Sequence, residues 1–149
     1  MKKAMLLLLF VSSIGITGSF AQIRKVPAEV TDALKAKYPD AQKVEWKDKV
    51  TYFEASFILN GAEMDADFSS KGEWQETQKK MAFDALPATV KDGFQKSKYN
   101  DWSPGSVTMI EKNDEATVYK IYVEKSSLVQ KRFLFFNKEG QLEKETPGI

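Results

Sequence analysis

The chain has 149 residues, with 22 Lys and Arg against 21 Asp and Glu, and it contains neither histidine nor cysteine. Without those two residue types, Ser/His/Asp triads, Cys/His pairs and the common zinc sites cannot be built; only carboxylate pairs, Ser/Lys dyads or oxygen-ligand metals remain as routes to catalysis. A formal charge of +1 gives no global field that would favour nucleic acid or anionic lipid.

Lys2 and Lys3, an apolar run over 5–16 and small residues leading to Ser19, Phe20 and Ala21 have the layout of a secretory signal peptide cleaved after Ala21. The apolar run falls short of the roughly 20 residues of a spanning helix, so a membrane anchor is the weaker reading. Removing residues 1–21 from a chain of 149 leaves 128, a size that supports one core without staples. Loss of Lys2 and Lys3 takes the formal charge from +1 to −1. The expected product is periplasmic or otherwise secreted, not inserted in a membrane, and held together by packing and strand pairing in place of disulfides.

Residues 26–38 read as a helix, with Pro27 suited to the first helical position and Val30, Ala33, Leu34 and Tyr38 at helical spacing; Pro39 ends it. From Asp40 to Lys47 the period changes to two, with Val44 and Trp46 on one face and Lys43, Glu45 and Lys47 on the other. A tight turn at Asp48 and Lys49 leads into residues 50–74, which read as three antiparallel strands. Asn60-Gly61 is the preferred pair for a type I′ hairpin, since both central residues need positive φ. Counting from that turn opposes Leu59 to Ala62, Phe57 to Met64, Ala55 to Ala66 and Phe53 to Phe68 on the core side. The other side opposes Ile58 to Glu63, Ser56 to Asp65, Glu54 to Asp67 and Tyr52 to Ser69. If the Asp48-Lys49 turn has two residues, Lys43 lies beside Glu54. Residues 69–72 fit a type I turn ending in Gly72, and the polar stretch 75–80 reads as an edge strand guarded by lysines.

The pattern then restarts. Leu86-Pro87-Ala88 matches Val26-Pro27-Ala28, Phe94 matches Leu34, Val107 corresponds to Val44, Tyr119 to Tyr52, and Phe136 with Gly140 to Phe68 with Gly72. This is a helix followed by a strand meander, written twice. In the second copy the strands over 116–125 and 128–137 are apolar on both faces: Tyr119, Ile121, Leu134 and Phe136 on one, Val118, Tyr122, Phe133 and Phe135 on the other. A Ser126-Ser127 turn would oppose Tyr122 to Lys131 and Lys120 to Phe133. Only one of those faces can meet the copy's own helix, so the other stays exposed, meets a partner or is covered by another part of the molecule. Gly93 inside the second helix costs about 1 kcal/mol relative to Ala.

The helix ending in Tyr38-Pro39-Asp40-Ala41, the Val44-Glu45-Trp46 step and the hairpin closing at Phe68 and Gly72-Glu73-Trp74 resemble the PepSY-like family of secreted Bacteroidetes proteins, which is similar in fold to beta-lactamase inhibitor protein. The second copy departs from the motif, with Asn100 in place of the proline and Trp102 where Ala41 would stand. The resemblance implies two α/β modules, 22–80 and 81–149, sharing one curved sheet with helices on one face. It also implies an extracytoplasmic location and an inhibitor or binding role. No residue of the motif is catalytic.

Three side-chain groups are candidates for a site. Glu54, Glu63, Asp65 and Asp67 converge on one sheet face; a solvated face balanced by Lys43 and Lys47, a docking patch for a basic partner and a calcium site are the readings, and the strand setting disfavours the metal. Trp46, Trp74 and Trp102 read as packing at helix-to-sheet junctions, with sugar stacking as the alternative. Tyr122, Phe133 and Phe135, with Lys120 and Lys131 beside them, read as a partner surface, with own-core or dimer packing as the alternative. The sequence therefore predicts an exported α+β protein, not an enzyme and with no cofactor or metal, that binds a protein partner through Tyr122, Phe133, Phe135, Lys120, Lys131, Glu54, Asp65 and Asp67. Inhibition of a protease or other envelope enzyme is one form of that role, and a carbohydrate- or peptide-binding module of the envelope is the alternative.

Overall fold

The computed structural model describes residues 24–126 and 129–148. The signal-peptide stretch with its cleavage point, and Ser127 and Leu128 of the second-half hairpin turn, lie outside these residues. The order of elements is α1 (Ala28–Lys37), β1 (Gln42–Asp48), β2 (Tyr52–Leu59), β3 (Ala62–Ser69), β4 (Trp74–Met81), a 3-10 turn (Phe83–Ala85), α2 (Ala88–Lys96), β5 (Ser103–Lys112), β6 (Val118–Lys125), β7 (Gln130–Asn137) and β8 (Leu142–Pro147). The eight strands form one antiparallel sheet in chain order, so each strand pairs with its neighbours in sequence.

Pro27 stands one place before α1, at φ −62 and ψ 153, and its carbonyl accepts from the Val30 and Thr31 amides at 3.2 Å each. It therefore caps the helix from outside, where the sequence places it just inside. Pro87 does the same for α2, accepting from Val90 at 3.0 Å and Lys91 at 3.1 Å. After each helix a turn closes in the same way: the Ala41 amide donates to the Tyr38 carbonyl at 3.1 Å, and the Trp102 amide to that of Tyr99 at 3.0 Å. That equivalence puts Trp102 in the place of Ala41.

The β2–β3 register is the one counted from Asn60-Gly61, whose φ values are +50 and +78. Gly72 and Gly140 close the next hairpins at φ +81 and +83. A Cβ on Gly72 would lie 2.5 Å from the Glu29 carbonyl oxygen, and one on Gly140 would lie 2.1 Å from that of Thr89, so each hairpin turn presses its bare backbone against the first turn of a helix. Gly93 completes that approach in the second half. A Cβ there would sit 1.9 Å from the Gly140 carbonyl oxygen, so the glycine inside α2 is a steric requirement.

Three expectations need correction. The β1–β2 connection is longer than two residues: Asp48 faces Phe53, which sets Lys47 and not Lys43 beside Glu54, and Lys43, at φ +53, lies in a bulge between Gln42 and Glu45 further along. Strand β4 is central and not an edge, because it pairs with β5 from Glu76↔Lys112 to Met81↔Val107. Of its two lysines only Lys80 is outward, paired with Glu63, while Lys79 shares the helix side with Thr77, which is buried. In the β6–β7 hairpin Lys125 faces Gln130, so the register is displaced by two residues: Tyr122 opposes Phe133 and Lys120 opposes Phe135. A displacement of two keeps every side chain on its face, since the period is two. The internal correspondences shift as well. The cross-strand pairs Phe53↔Phe68 and Tyr119↔Phe136 make Tyr119 the counterpart of Phe53, and the pairs Trp46↔Ala55 and Val107↔Ile121 make Val107 the counterpart of Trp46.

Two cores lie under the two helices. Val30 and Leu34 of α1 pack on Phe53, Ala55, Ala66 and Phe68, and Val90 and Phe94 of α2 pack on Val107, Ile121, Leu134 and Phe136. Thr77 pairs with Ala66 of the first core, and Met81, two alternations along the same side of β4, pairs with Val107 and packs on the second. Both helices therefore cover the same face of the sheet. Trp102 is buried in the second core, edge-on to Tyr99 at 5.0 Å, whereas Trp46 and Trp74 lie at the margin of the first.

Candidate functional site

The face of the sheet away from the helices divides into two halves and carries the acidic and the aromatic groups singled out from the sequence, while the three tryptophans belong to the cores. Across β1–β5 one cross-strand row reads Lys47, Glu54, Asp67, Glu76 and Lys112. The lysines close its ends. Lys47 and Lys49 each place Nζ 3.4 Å from Glu54, and Lys112 lies 3.6 Å from Glu76, which also accepts from Gln78 Nε2 at 2.7 Å. Asp67 in the middle makes no ion pair among the described residues. Burial first, then the charges of Glu54 and Glu76, push its carboxyl up to about 6. The two neighbouring acids are better served. Asp65 accepts from Ser56 Oγ at 2.6 Å, and a hydrogen bond and charge from Lys80 hold Glu63 below the usual carboxylate range. Among the described residues no group of three or more carboxylates is placed to hold a metal ion.

Across β6–β8 the same face is aromatic and basic. Tyr122 opposes Phe133 with ring centroids 5.5 Å apart, and Phe133 opposes Thr146. In the adjoining row Phe135 lies between Lys120 and Lys144. Lys120 Nζ stands 5.6 Å from the Phe133 ring and Lys144 Nζ 5.5 Å from that of Phe135. All three rings are partly buried, in contrast to the fully buried Leu134 and Phe136 that alternate with them on β7. Lys131 faces Glu124 at the outer end of the hairpin, one row beyond the rings.

The structure thus brings Tyr122, Phe133, Phe135 and Lys120 together, sets Lys131 at their margin, and places Glu54, Asp65 and Asp67 several strands away on the same face. Sequence reading misses two contributors. Lys144 reaches this face through a bulge in β8, because Phe136 faces Leu142 and Phe135 faces Lys144, so counting from the Gly140 turn alone would set it on the other face. Gly105 likewise acts through a bulge, between Pro104 and Val107: a Cβ there would lie 2.8 Å from Tyr122 Cδ1, so the ring rests on bare backbone.

Residues 51–144 match the model of a family described as "Putative beta-lactamase-inhibitor-like, PepSY-like". Among solved structures, a BLIP-like protein of Bacteroides fragilis is 28% identical, with a TM-score of 0.79 over 85% of this chain and 89% of that one. A DUF2874 family protein of Bacteroides ovatus is 29% identical, with a TM-score of 0.79 over 83% and 89%. A Bacteroides eggerthii protein described as a "putative periplasmic" protein is 26% identical, with a TM-score of 0.78 over 83% and 90%. No curated protein matches the chain.

Proposed function

The chain belongs to the PepSY-like family, and from that premise we propose that it is an exported, non-enzymatic binding protein that engages a protein partner through the sheet face opposite its helices. The observation that carries this reading is the set of three partly exposed rings, Tyr122, Phe133 and Phe135, on strands whose other face already fills the second core. Rigid aromatics beside cations are favoured at interface hot spots, and the sheet has no need of them for its own packing on that side. Two tandem modules, 22–80 and 81–149, would present this face as one continuous surface, with the first contributing Glu54, Asp65 and Asp67. The inhibitor-like family description and the neighbours' periplasmic setting suggest inhibition of an envelope enzyme as the form of binding, after removal of the signal peptide behind Ala21. Absence of histidine and cysteine from the whole sequence supports a role without catalysis.

Affinity capture from an envelope extract, run in parallel with the parent protein and Phe133→Ala, tests the reading. A partner held by the parent should be weakened by about 2 kcal/mol or more in the variant, with the thermal midpoint little changed. If Phe133→Ala instead lowers stability by the roughly 3–5 kcal/mol of a buried phenylalanine, or leaves capture intact, the surface is not the binding site.

A further inference from the structure

Lysines on the outer face fall into two groups. Lys47 and Lys49 are 3.4 Å from Glu54, Lys112 is 3.6 Å from Glu76, and Lys80 is paired with Glu63. Lys120 and Lys144, by contrast, have no ion-pair partner among the described residues and stand 5.6 Å and 5.5 Å from the centroids of the Phe133 and Phe135 rings. Cross-strand register sets these two lysines on either side of Phe135, two strand spacings or about 10 Å apart. Beside them is a hollow of about 220 Å³ floored by Ile110, Val118 and Phe135. The carboxylates on its rim are already engaged: Glu115 lies 3.9 Å from Lys112, and Glu143 accepts from Asn137 Nδ2 at 3.1 Å. Lys144 stands on the rim of the hollow and Lys120 across Phe135 from it, so two uncompensated cations flank the ring that forms part of the apolar floor, an arrangement complementary to two carboxylates flanking an apolar side chain.

We propose that this quarter of the sheet takes an acidic segment of a protein partner, which lays an apolar side chain into the hollow and a carboxylate on each of Lys120 and Lys144. The inference rests on the outer face being the binding surface. A long polyanion is the less suitable ligand, because Glu63, Asp65 and Asp67 stand three strands away on the same face and would repel its continuation. A short acidic stretch with an apolar centre meets the cations and stops short of the carboxylates.

Isotope-labelled protein titrated with the capped peptide Gly-Glu-Leu-Phe-Glu-Gly and followed by amide chemical shifts tests this directly. Lysine and glutamine versions of the peptide and an eight-nucleotide thymidine strand serve as competing probes. The acidic peptide is expected to shift amides of Lys120, Phe135 and Lys144 saturably and at least tenfold more tightly than the lysine peptide. Its affinity should fall about tenfold in Lys120→Gln/Lys144→Gln at unchanged thermal midpoint. If the glutamine peptide binds the same amides equally well, the acidic requirement is wrong while the outer face stands. If no peptide moves them, both fall. Tighter binding of the oligonucleotide at these amides would replace the proposal with a base-stacking platform.

Discussion

Asp67 sits at the centre of a row in which both neighbours across the strands, Glu54 and Glu76, are also acids. Each of those two has a lysine beside it, and Asp67 has none, so replacing it with asparagine removes a charge that the fold disfavours. Its carboxyl is raised from 3.8 to about 6, with burial as the first cause. At about 1.36 kcal/mol per unit this sets a ceiling near 3 kcal/mol, which partial exposure and the lysines at the ends of the row reduce to about 1 kcal/mol. The sign follows from proton binding. Between about pH 4 and pH 6 the folded chain holds a proton that the unfolded chain has released, so this residue's contribution to stability falls as pH rises through that window and is flat above it. Asp67→Asn should therefore be the more stable protein at pH 7.5 by about 1 kcal/mol and gain nothing at pH 3.5. Urea unfolding of parent and variant across that range measures the difference, and the other carboxylates cancel because both proteins contain them. A variant less stable than the parent at pH 7.5, or a difference that does not change with pH, would refute the argument.

Gly93→Ala should destabilise the protein by about 2 kcal/mol, despite the roughly 1 kcal/mol that alanine gains in a helix, because the new methyl meets the Gly140 carbonyl; thermal melts decide it, and a stabilised variant would mean that α2 can move away. Arg24 donates to Asp48 through Nε at 2.8 Å and holds its carboxyl well below the usual range. That contribution is present above pH 4 and is lost as acid protonates Asp48, so Arg24→Ala should narrow the gap between neutral and acid stability, read from unfolding curves at pH 7 and pH 3.

What the sequence could reveal depended on which turns declare their geometry. Asn60-Gly61 has two residues that accept positive φ, and all eight pairs of the β2–β3 ladder follow from it. Between β6 and β7 no such pair exists. The residue at φ +49 is Val129, a type that gives no hint of that conformation, so the register could only be guessed; the aromatic face survived because the error was even. The same holds before β2, where Val50 takes φ +70 with its carbonyl held by Arg24 at 2.6 Å and its amide by Asp48 at 2.8 Å. Strand β4 was misplaced for a different reason: a polar run with Lys79 and Lys80 is what an edge strand shows, yet only Lys80 is on the wet side and the strand pairs with β5 along its length. At the candidate site the rings were visible as alternation, but Gly105 and Lys144 owe their places to bulges in β5 and β8.

The β4–β5 ladder joins two separately filled cores, and that has a bearing on how the protein can fail. A chain cut between Lys80 and Met81 would leave each half with its core intact and one raw strand, β4 or β5, with unpaired amides and carbonyls along its length. Such halves should dimerise or aggregate through those strands before they unfold. Among the described residues the free margins of the sheet are β1, interrupted by its bulge, and β8, ending at Pro147. Pairing across the seam thus keeps two otherwise adhesive strands satisfied, and halves that came apart after a nick there would be two self-associating fragments.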